Sequence, residues 1–186
     1  MRITGGEMRS RHLKAPAGES TRPTSDRVRE ALFGILAARG AVEGARVLDL
    51  YAGSGALALE ALSRGAARAV LVERGRPALE AIRANVEALG LGARAKVVAG
   101  PVERAAPRLS AEGPFDLVLV DPPYADVPRG AVGRALEPLL AGGALSAGAL
   151  LVLEHAHADA PPPLAGLSAE ETRRYGDTAL TFYTCA

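Results

Sequence analysis

Between Arg46 and Glu154 the chain alternates short apolar runs with longer amphipathic stretches, and this alternation restricts the possible fold more than any other feature. The runs at 47–51, 69–73, 95–99, 115–120 and 149–154 read as strands. Strands alternating with helices build a parallel sheet covered by helices on both faces. The intervening segments supply those helices. One follows Gly55 and runs through Leu62, one has Pro77 in its first turn and stops at Gly90, and two more cover 102–109 and 129–140. Two last strands, 170–175 and 178–184, flank Gly176-Asp177, a good hairpin turn. The expected fold is therefore a doubly wound α/β sheet, mostly parallel, with an antiparallel C-terminal hairpin.

Ahead of this unit, a helix should begin at Thr24 or Ser25, either of which can cap it, with Val28, Ala31, Leu32, Ile35 and Leu36 on one apolar face. Residues 1–15 read as an extended or hairpin segment turning at Gly5-Gly6, with too few apolar residues to bury much. The expected organisation is a basic N-terminal extension over 1–23 and a main domain over 24–186. Net charge is only +1, but residues 1–29 hold seven basic and three acidic side chains, a local balance of +4 that leaves −3 for the rest. That asymmetry points to an anionic partner at one end. Arginine supplies nearly all of it, and its planar fork suits phosphate oxygens. Cys185 is the only cysteine, so no disulfide can form within the chain and no cysteine metal cluster exists. No apolar stretch reaches the roughly 18–20 residues that span a bilayer, and nothing resembles a signal peptide. A soluble cytoplasmic protein, without a metal and not bound to a membrane, is expected.

The fourth apolar run ends in Asp121-Pro122-Pro123-Tyr124. Two successive prolines forbid both helix and ladder hydrogen bonding, so the backbone leaves the sheet abruptly beside a carboxylate and an aromatic ring. In an open parallel sheet ligands bind beyond the carboxyl ends of the strands, where strand order reverses. That rule places Gly53-Ser54-Gly55, Glu73 and Asp121–Tyr124 along one edge. The glycine stretch, with Ala58, also fits a dinucleotide fingerprint, which keeps a nicotinamide enzyme open as an alternative. Asp49, four residues before Gly53, argues against it. A carboxylate there repels phosphate and attracts an ammonium, as S-adenosylmethionine would offer. Glu73, 24 residues after Asp49, is placed to accept from ribose hydroxyls, a role shared by nucleotide folds in general. No hydride-transfer set is evident, because His12, His155 and His157 read as lying in or beside loops away from this edge.

Facing a methyl donor, the Asp121 carboxylate and the Pro122 carbonyl are two acceptors suited to the two hydrogens of an exocyclic amino group. They would aim its lone pair at the methyl, with Tyr124 stacking on the base. The base must leave its stack, which implies single-stranded or flipped-out targets. The set fits guanine N2 and adenine N6 alike.

Asp49-Leu-Tyr51-Ala-Gly53-Ser54-Gly55 together with Asp121-Pro122-Pro-Tyr124 resembles class I S-adenosylmethionine-dependent methyltransferases, a Rossmann-like fold, of the amino-methylating branch. The ends narrow the resemblance. Arg2-Ile-Thr-Gly-Gly6, Arg9-Ser-Arg11, Arg22-Pro-Thr24-Ser-Asp-Arg27-Val-Arg29-Glu30, Leu59-Glu-Ala-Leu-Ser-Arg64-Gly65 and Arg174-Tyr-Gly-Asp-Thr178 are similar to the bacterial 16S rRNA guanine-N2 methyltransferase family. The resemblance implies N2 methylation of one guanine in 16S rRNA, presented by a partly or fully assembled small ribosomal subunit, by a monomeric enzyme. It implies cofactor contacts from Asp49, Tyr51, Gly53, Ser54, Gly55, Glu73, Thr24 and Asp121, catalysis by Asp121, Pro122 and Tyr124, and RNA contacts from Arg2, Arg9, Arg11, Lys14, Arg22 and Arg27. One departure stands out. Where such enzymes often carry an acidic or amide residue beside the adenine, this chain reads Ala99-Gly100-Pro101-Val102, leaving Val102 and the backbone to contact the base. A non-enzymatic RNA-binding module of the same fold is the reading from another class.

Overall fold

The computed structural model describes residues 1–17 and 25–185. Arg22, Thr24 and the 23/24 boundary expected between extension and domain lie outside the described residues. Helix α1 (Asp26–Ala38) is capped by Ser25, whose hydroxyl accepts from the Val28 amide at 3.2 Å. Alternation follows through β1 (Arg46–Leu50), α2 (Ala56–Ser63), β2 (Arg68–Glu73), α3 (Arg76–Ala88), β3 (Ala95–Ala99), α4 (Val102–Glu112), β4 (Phe115–Val120) and α5 (Ala131–Ala141). The chain closes with β5 (Leu145–Ala156), β6 (Leu167–Tyr175) and β7 (Thr178–Cys185).

The seven strands lie in the order β3-β2-β1-β4-β5-β7-β6. Strands β1 to β5 pair in parallel, and β7 runs antiparallel to both β5 and β6. Strand order reverses between β1 and β4, where Asp49 is in register with Leu119 and Leu50 with Val120. Two apolar cores flank the sheet. One joins it to α1, α2 and α3 through residues such as Leu32, Leu59 and Ile82, and the other to α4 and α5 through Leu109 and Leu136.

Strand β5 begins four residues earlier than the sequence implies. Phe115 pairs with Leu145 and the register then shifts before Leu117, with Gly148 at φ +73 in the irregular stretch. A bulge of this kind carries a strand past a glycine that otherwise reads as a turn. His155 lies beside a loop, one residue before the end of β5. It is 1 % exposed, with Nε2 2.8 Å from the Thr181 hydroxyl.

The N-terminal segment departs furthest from expectation. It is a hairpin closed by an Arg2–His12 bridge, and it buries Ile3 and Leu13 in the core of α1, α2 and α3. Polar contacts do the rest. The buried Glu60 carboxylate on α2 accepts from the Thr4 amide and hydroxyl (2.8 and 2.7 Å), the Gly5 amide (2.8 Å) and the Arg64 guanidinium (2.8 Å). Arg29 is fully buried on α1 and pairs with Glu60 at 3.4 Å and Asp26 at 2.8 Å. A Cβ at Gly6 (φ +78) would stand 1.9 Å from the Ser63 carbonyl oxygen, so only glycine fits where the hairpin crosses α2.

Candidate active site

A cleft of about 560 Å³ opens at the carboxyl ends of β1, β2 and β4, the place where the strand order reverses. Each strand contributes a carboxylate within one residue of its end. Asp49 lies one residue before the end of β1 and is 1 % exposed. Its Oδ2 accepts from the Ala58 amide in the first turn of α2 at 3.0 Å, which satisfies an otherwise orphaned helix N–H. Its Oδ1 is buried with no hydrogen-bond partner among the described residues. Burial pushes the Asp49 carboxyl up to about 7, with the Glu73 charge adding to the rise and the Ala58 hydrogen bond opposing it.

Beyond Asp49 the backbone turns sharply. Tyr51 takes φ +62, a left-handed conformation that costs a side-chain-bearing residue about 1–3 kcal/mol. Burial, then the charges of Glu103 and Asp126, raise its phenol to about 12, so it is a neutral hydrogen-bond donor. The turn leads into Gly53-Ser54-Gly55, and Gly55 (φ +79) starts α2. A Cβ on Gly55 would meet Leu71 Cδ2 at 3.0 Å.

Glu73, at the end of β2, holds this loop in place. Its carboxylate accepts from the amides of Gly53 (2.8 Å), Arg74 (2.7 Å) and Gly75 (2.6 Å). A carboxylate offers about four lone-pair directions. Three are taken, which leaves one direction free for a ligand hydroxyl.

On the β4 side the Asp121 amide reaches back to the Leu50 carbonyl at 3.3 Å, so the Asp-Pro-Pro-Tyr segment departs directly beside β1. Asp121 is half-buried, Pro122 buried and Pro123 exposed. A 3-10 turn, Tyr124–Asp126, then folds back. The Tyr124 hydroxyl lies 3.2 Å from Glu154 Oε1 and 2.8 Å from Thr178 Oγ1, which ties the ring to β5 and β7. Thr178 belongs to the closing Arg174–Thr178 motif, which thereby acquires a role at the site.

Asp49, Tyr51, Gly53, Ser54, Glu73, Val102, Asp121, Pro122 and Tyr124 all line this one cleft. Gly55 stands behind it as the start of α2. The basic residues are more dispersed. Arg2, Arg9 and Arg27 share a second cleft of about 310 Å³ with Asp26 and Glu30. Arg11 donates to the Ala88 carbonyl at the end of α3, at 2.9 Å, and the Lys14 side chain is exposed.

Sequence reasoning passes over several residues here. Glu103, in the first turn of α4, lines the cleft one residue beyond Val102 and puts a carboxylate near the wall that the sequence leaves apolar. Met1, Ala15 and Pro16 bring the hairpin into the cleft wall. Asn85 is 3 % exposed on α3 and hydrogen bonds to both Lys14 and Ser54. Its signal was visible, since it is the polar member of an apolar stripe of Ala78, Ala81, Ile82 and Val86. Among the described residues there is no cluster of acidic, histidine or cysteine side chains able to hold a metal, and no helix long and apolar enough to cross a membrane.

A solved Escherichia coli chain described as a candidate methyltransferase superposes with a TM-score of 0.83 at 38% identity, covering 100% of this chain and 97% of that one. An RNA methyltransferase from Salinibacter ruber, in complex with S-adenosyl-L-homocysteine, shares the fold at 19% identity with a TM-score of 0.64, covering 88% of this chain and 93% of that one. The architecture is that of Rossmann-like methyltransferases. The family described as "Conserved hypothetical protein 95" matches residues 1–184, and the chain belongs to it. Ribosomal RNA small subunit methyltransferase D of Escherichia coli K12 is 41% identical over 155 residues, which is 83% of this chain and 74% of that protein.

Proposed function

We propose that this chain is an S-adenosylmethionine-dependent methyltransferase acting on the exocyclic N2 of a guanine in 16S rRNA within the small ribosomal subunit. The observation that carries the cofactor is the buried, unpartnered Asp49 Oδ1 in the cleft wall. A buried carboxylate oxygen without a partner is expensive, and the ammonium of the donor's amino-acid end supplies the missing contact. A dinucleotide would instead bring pyrophosphate against it.

When bound, the donor supplies an electrophilic methyl on a sulfonium. The chain's own residues then bind, orient and take up a proton. Asp49 would hold the ammonium, the Gly53–Gly55 backbone would allow close approach, and Glu73 would accept a ribose hydroxyl. Val102 and Glu103, which both line the cleft, would flank the adenine. Asp121 and the Pro122 carbonyl receive the two amino hydrogens of the target base, and the Asp121 carboxylate takes the proton released on transfer. The Tyr124 ring supports the base on its face.

The small-subunit rRNA target rests on the likeness to the Escherichia coli relative, whereas guanine N2 rests on the resemblance carried by the terminal motifs, and the paired acceptors of Asp121 and Pro122 are compatible with it. The cleft shared by Arg2, Arg9 and Arg27 supports an RNA partner on the outer face of the hairpin. Mass mapping of methyl groups on small-subunit rRNA, from cells with and without the gene, tests the reading. One guanine should lose its N2 methyl, and an unchanged map overturns the assignment.

A further inference from the structure

Asn85 stands apart from every residue considered so far, because it touches neither the cleft nor the exposed basic face, yet it is bonded to a segment of each. Its Oδ1 accepts from the Lys14 amide at 2.7 Å, and its Nδ2 donates to the Lys14 carbonyl at 3.0 Å and to the Ser54 carbonyl at 3.0 Å. The carboxamide thus pairs with Lys14 as a neighbouring strand would, while its second N–H holds the glycine loop. Both donors are spent and the group is 3 % exposed, so water offers little replacement. A second contact runs alongside, from the Ser54 hydroxyl to Met1 Sδ at 3.3 Å. Gly53 and Ser54 line the cleft, as do Met1, Ala15 and Pro16. Hairpin and loop therefore meet through one buried carboxamide and, beside it, the Ser54–Met1 contact.

We infer that Asn85 is a positioning residue that locks the basic N-terminal hairpin to the Gly53–Gly55 loop. Through it, occupancy of the cleft and the set of the RNA-facing hairpin bias one another. This rests on the methyl-donor reading of the cleft. The physical basis is that the loop's carbonyl and the hairpin's backbone pair share a single carboxamide, so a ligand that orders the loop also orders Lys14. Any such bias is reciprocal in free energy. The side chain acts through Ser54 and Lys14 and has no contact with reacting atoms.

The test compares the full-length chain with Asn85→Asp and Asn85→Leu. Aspartate keeps an acceptor for the Lys14 amide and loses both donors. Leucine fills the space and removes the bridge. Binding of S-adenosylhomocysteine is followed by calorimetry, and amide hydrogen exchange is followed at Lys14, Gly53 and Gly55 with and without that ligand. In the wild-type chain the ligand should slow exchange at Lys14 as well as at the loop. Both variants should bind it about tenfold more weakly, the scale of one or two buried hydrogen bonds, and in the aspartate variant the ligand should no longer slow Lys14. A merely structural role lowers the melting temperature and leaves affinity and ligand-dependent protection intact, and that result overturns the inference. Wild-type protein that fails to bind the ligand strikes the methyl-donor reading instead. The bridge is then judged in the free protein, where faster exchange at Gly53 and Gly55 in the aspartate variant supports it and unchanged exchange overturns it.

Discussion

Tyr124 and Thr178, 54 residues apart in sequence, meet at 2.8 Å between their hydroxyl oxygens. The same phenol reaches Glu154 at 3.2 Å, and burial first, then the Glu154 and Asp121 charges, raise it to about 12. With one proton to give, it donates to Glu154 and accepts from Thr178, and the ring is fixed from its far end. Tyr124→Phe keeps the aromatic face and removes this anchorage. Turnover should fall by roughly three- to tenfold, the worth of a hydrogen bond, while S-adenosylhomocysteine affinity stays within twofold. Thr178→Val should mimic it and Thr178→Ser should not. Full activity in both Tyr124→Phe and Thr178→Val would show that the anchorage is idle.

Asp121→Ala should abolish methyl transfer and leave cofactor affinity within a few-fold, because in the proposed mechanism the carboxylate acts on the acceptor amine. Single-turnover assays on small subunits, paired with calorimetry, separate the two quantities. Preserved turnover rejects the role given to Asp121.

Asp49 carries a pH signature. Its carboxyl is raised from 3.8 to about 7 in the unliganded chain, chiefly by burial. The ammonium binds the ionised form, so affinity for the donor should rise by about tenfold per pH unit from 5 to 7 and level off above. For stability the sign is opposite. The raised value favours the protonated folded chain, so its contribution is present below pH 4 and is lost as pH rises toward 7. Calorimetry with S-adenosylhomocysteine across this range checks the first, with Asn at position 49 flattening the profile. A level profile in the wild-type chain would remove the ammonium contact.

Glu60 and Arg29 form a buried ion pair that also fastens the hairpin. Breaking one partner of such a pair costs about 3–5 kcal/mol. Urea unfolding of Glu60→Ala should show a loss of that size, well beyond an exposed pair such as Arg76–Glu80. A loss under 1 kcal/mol would mean that the hairpin is fastened elsewhere.

The proposed RNA-facing surface is better tested by charge than by truncation, because deleting the hairpin also removes Ile3, Leu13 and the Glu60 contacts. Replacing Arg2, Arg9 and Arg27 by serine should weaken binding to small subunits and flatten its salt dependence by about 0.7–0.9 per lost phosphate contact in log–log slope. An unchanged slope places the RNA elsewhere.

Most of the sheet was legible because parallel strands buried on both faces leave nearly continuous apolar runs, and those runs end at chemistry. Asp49, Glu73 and Asp121 could be placed on one edge without coordinates, since strand ends converge wherever strand order reverses. The hairpin could not be read in this way. Counting apolar residues misses an attachment made of backbone amides on one buried carboxylate, with the partners Thr4 and Glu60 separated by 56 residues. Glu103 and Met1 were missed for a related reason, since their direction depends on how α4 and the hairpin dock. Asn85 was legible in principle, as a polar interruption in a helical stripe.

The reversal of strand order between β1 and β4 also governs when the cleft comes into being. Val47 and Leu117 pair across 70 residues of chain, and that pairing brings the end of β4, and with it Asp121, beside β1. Loop closure of that length comes late in folding, because its entropy is spent before its contacts form. A nascent or partly folded chain should therefore form the β1–β2 half with Asp49 and Glu73 before the Asp121–Tyr124 wall of the cleft. A complete ligand site is then a report that the whole sheet has closed, and the cofactor, by binding only that state, draws the folding equilibrium toward it.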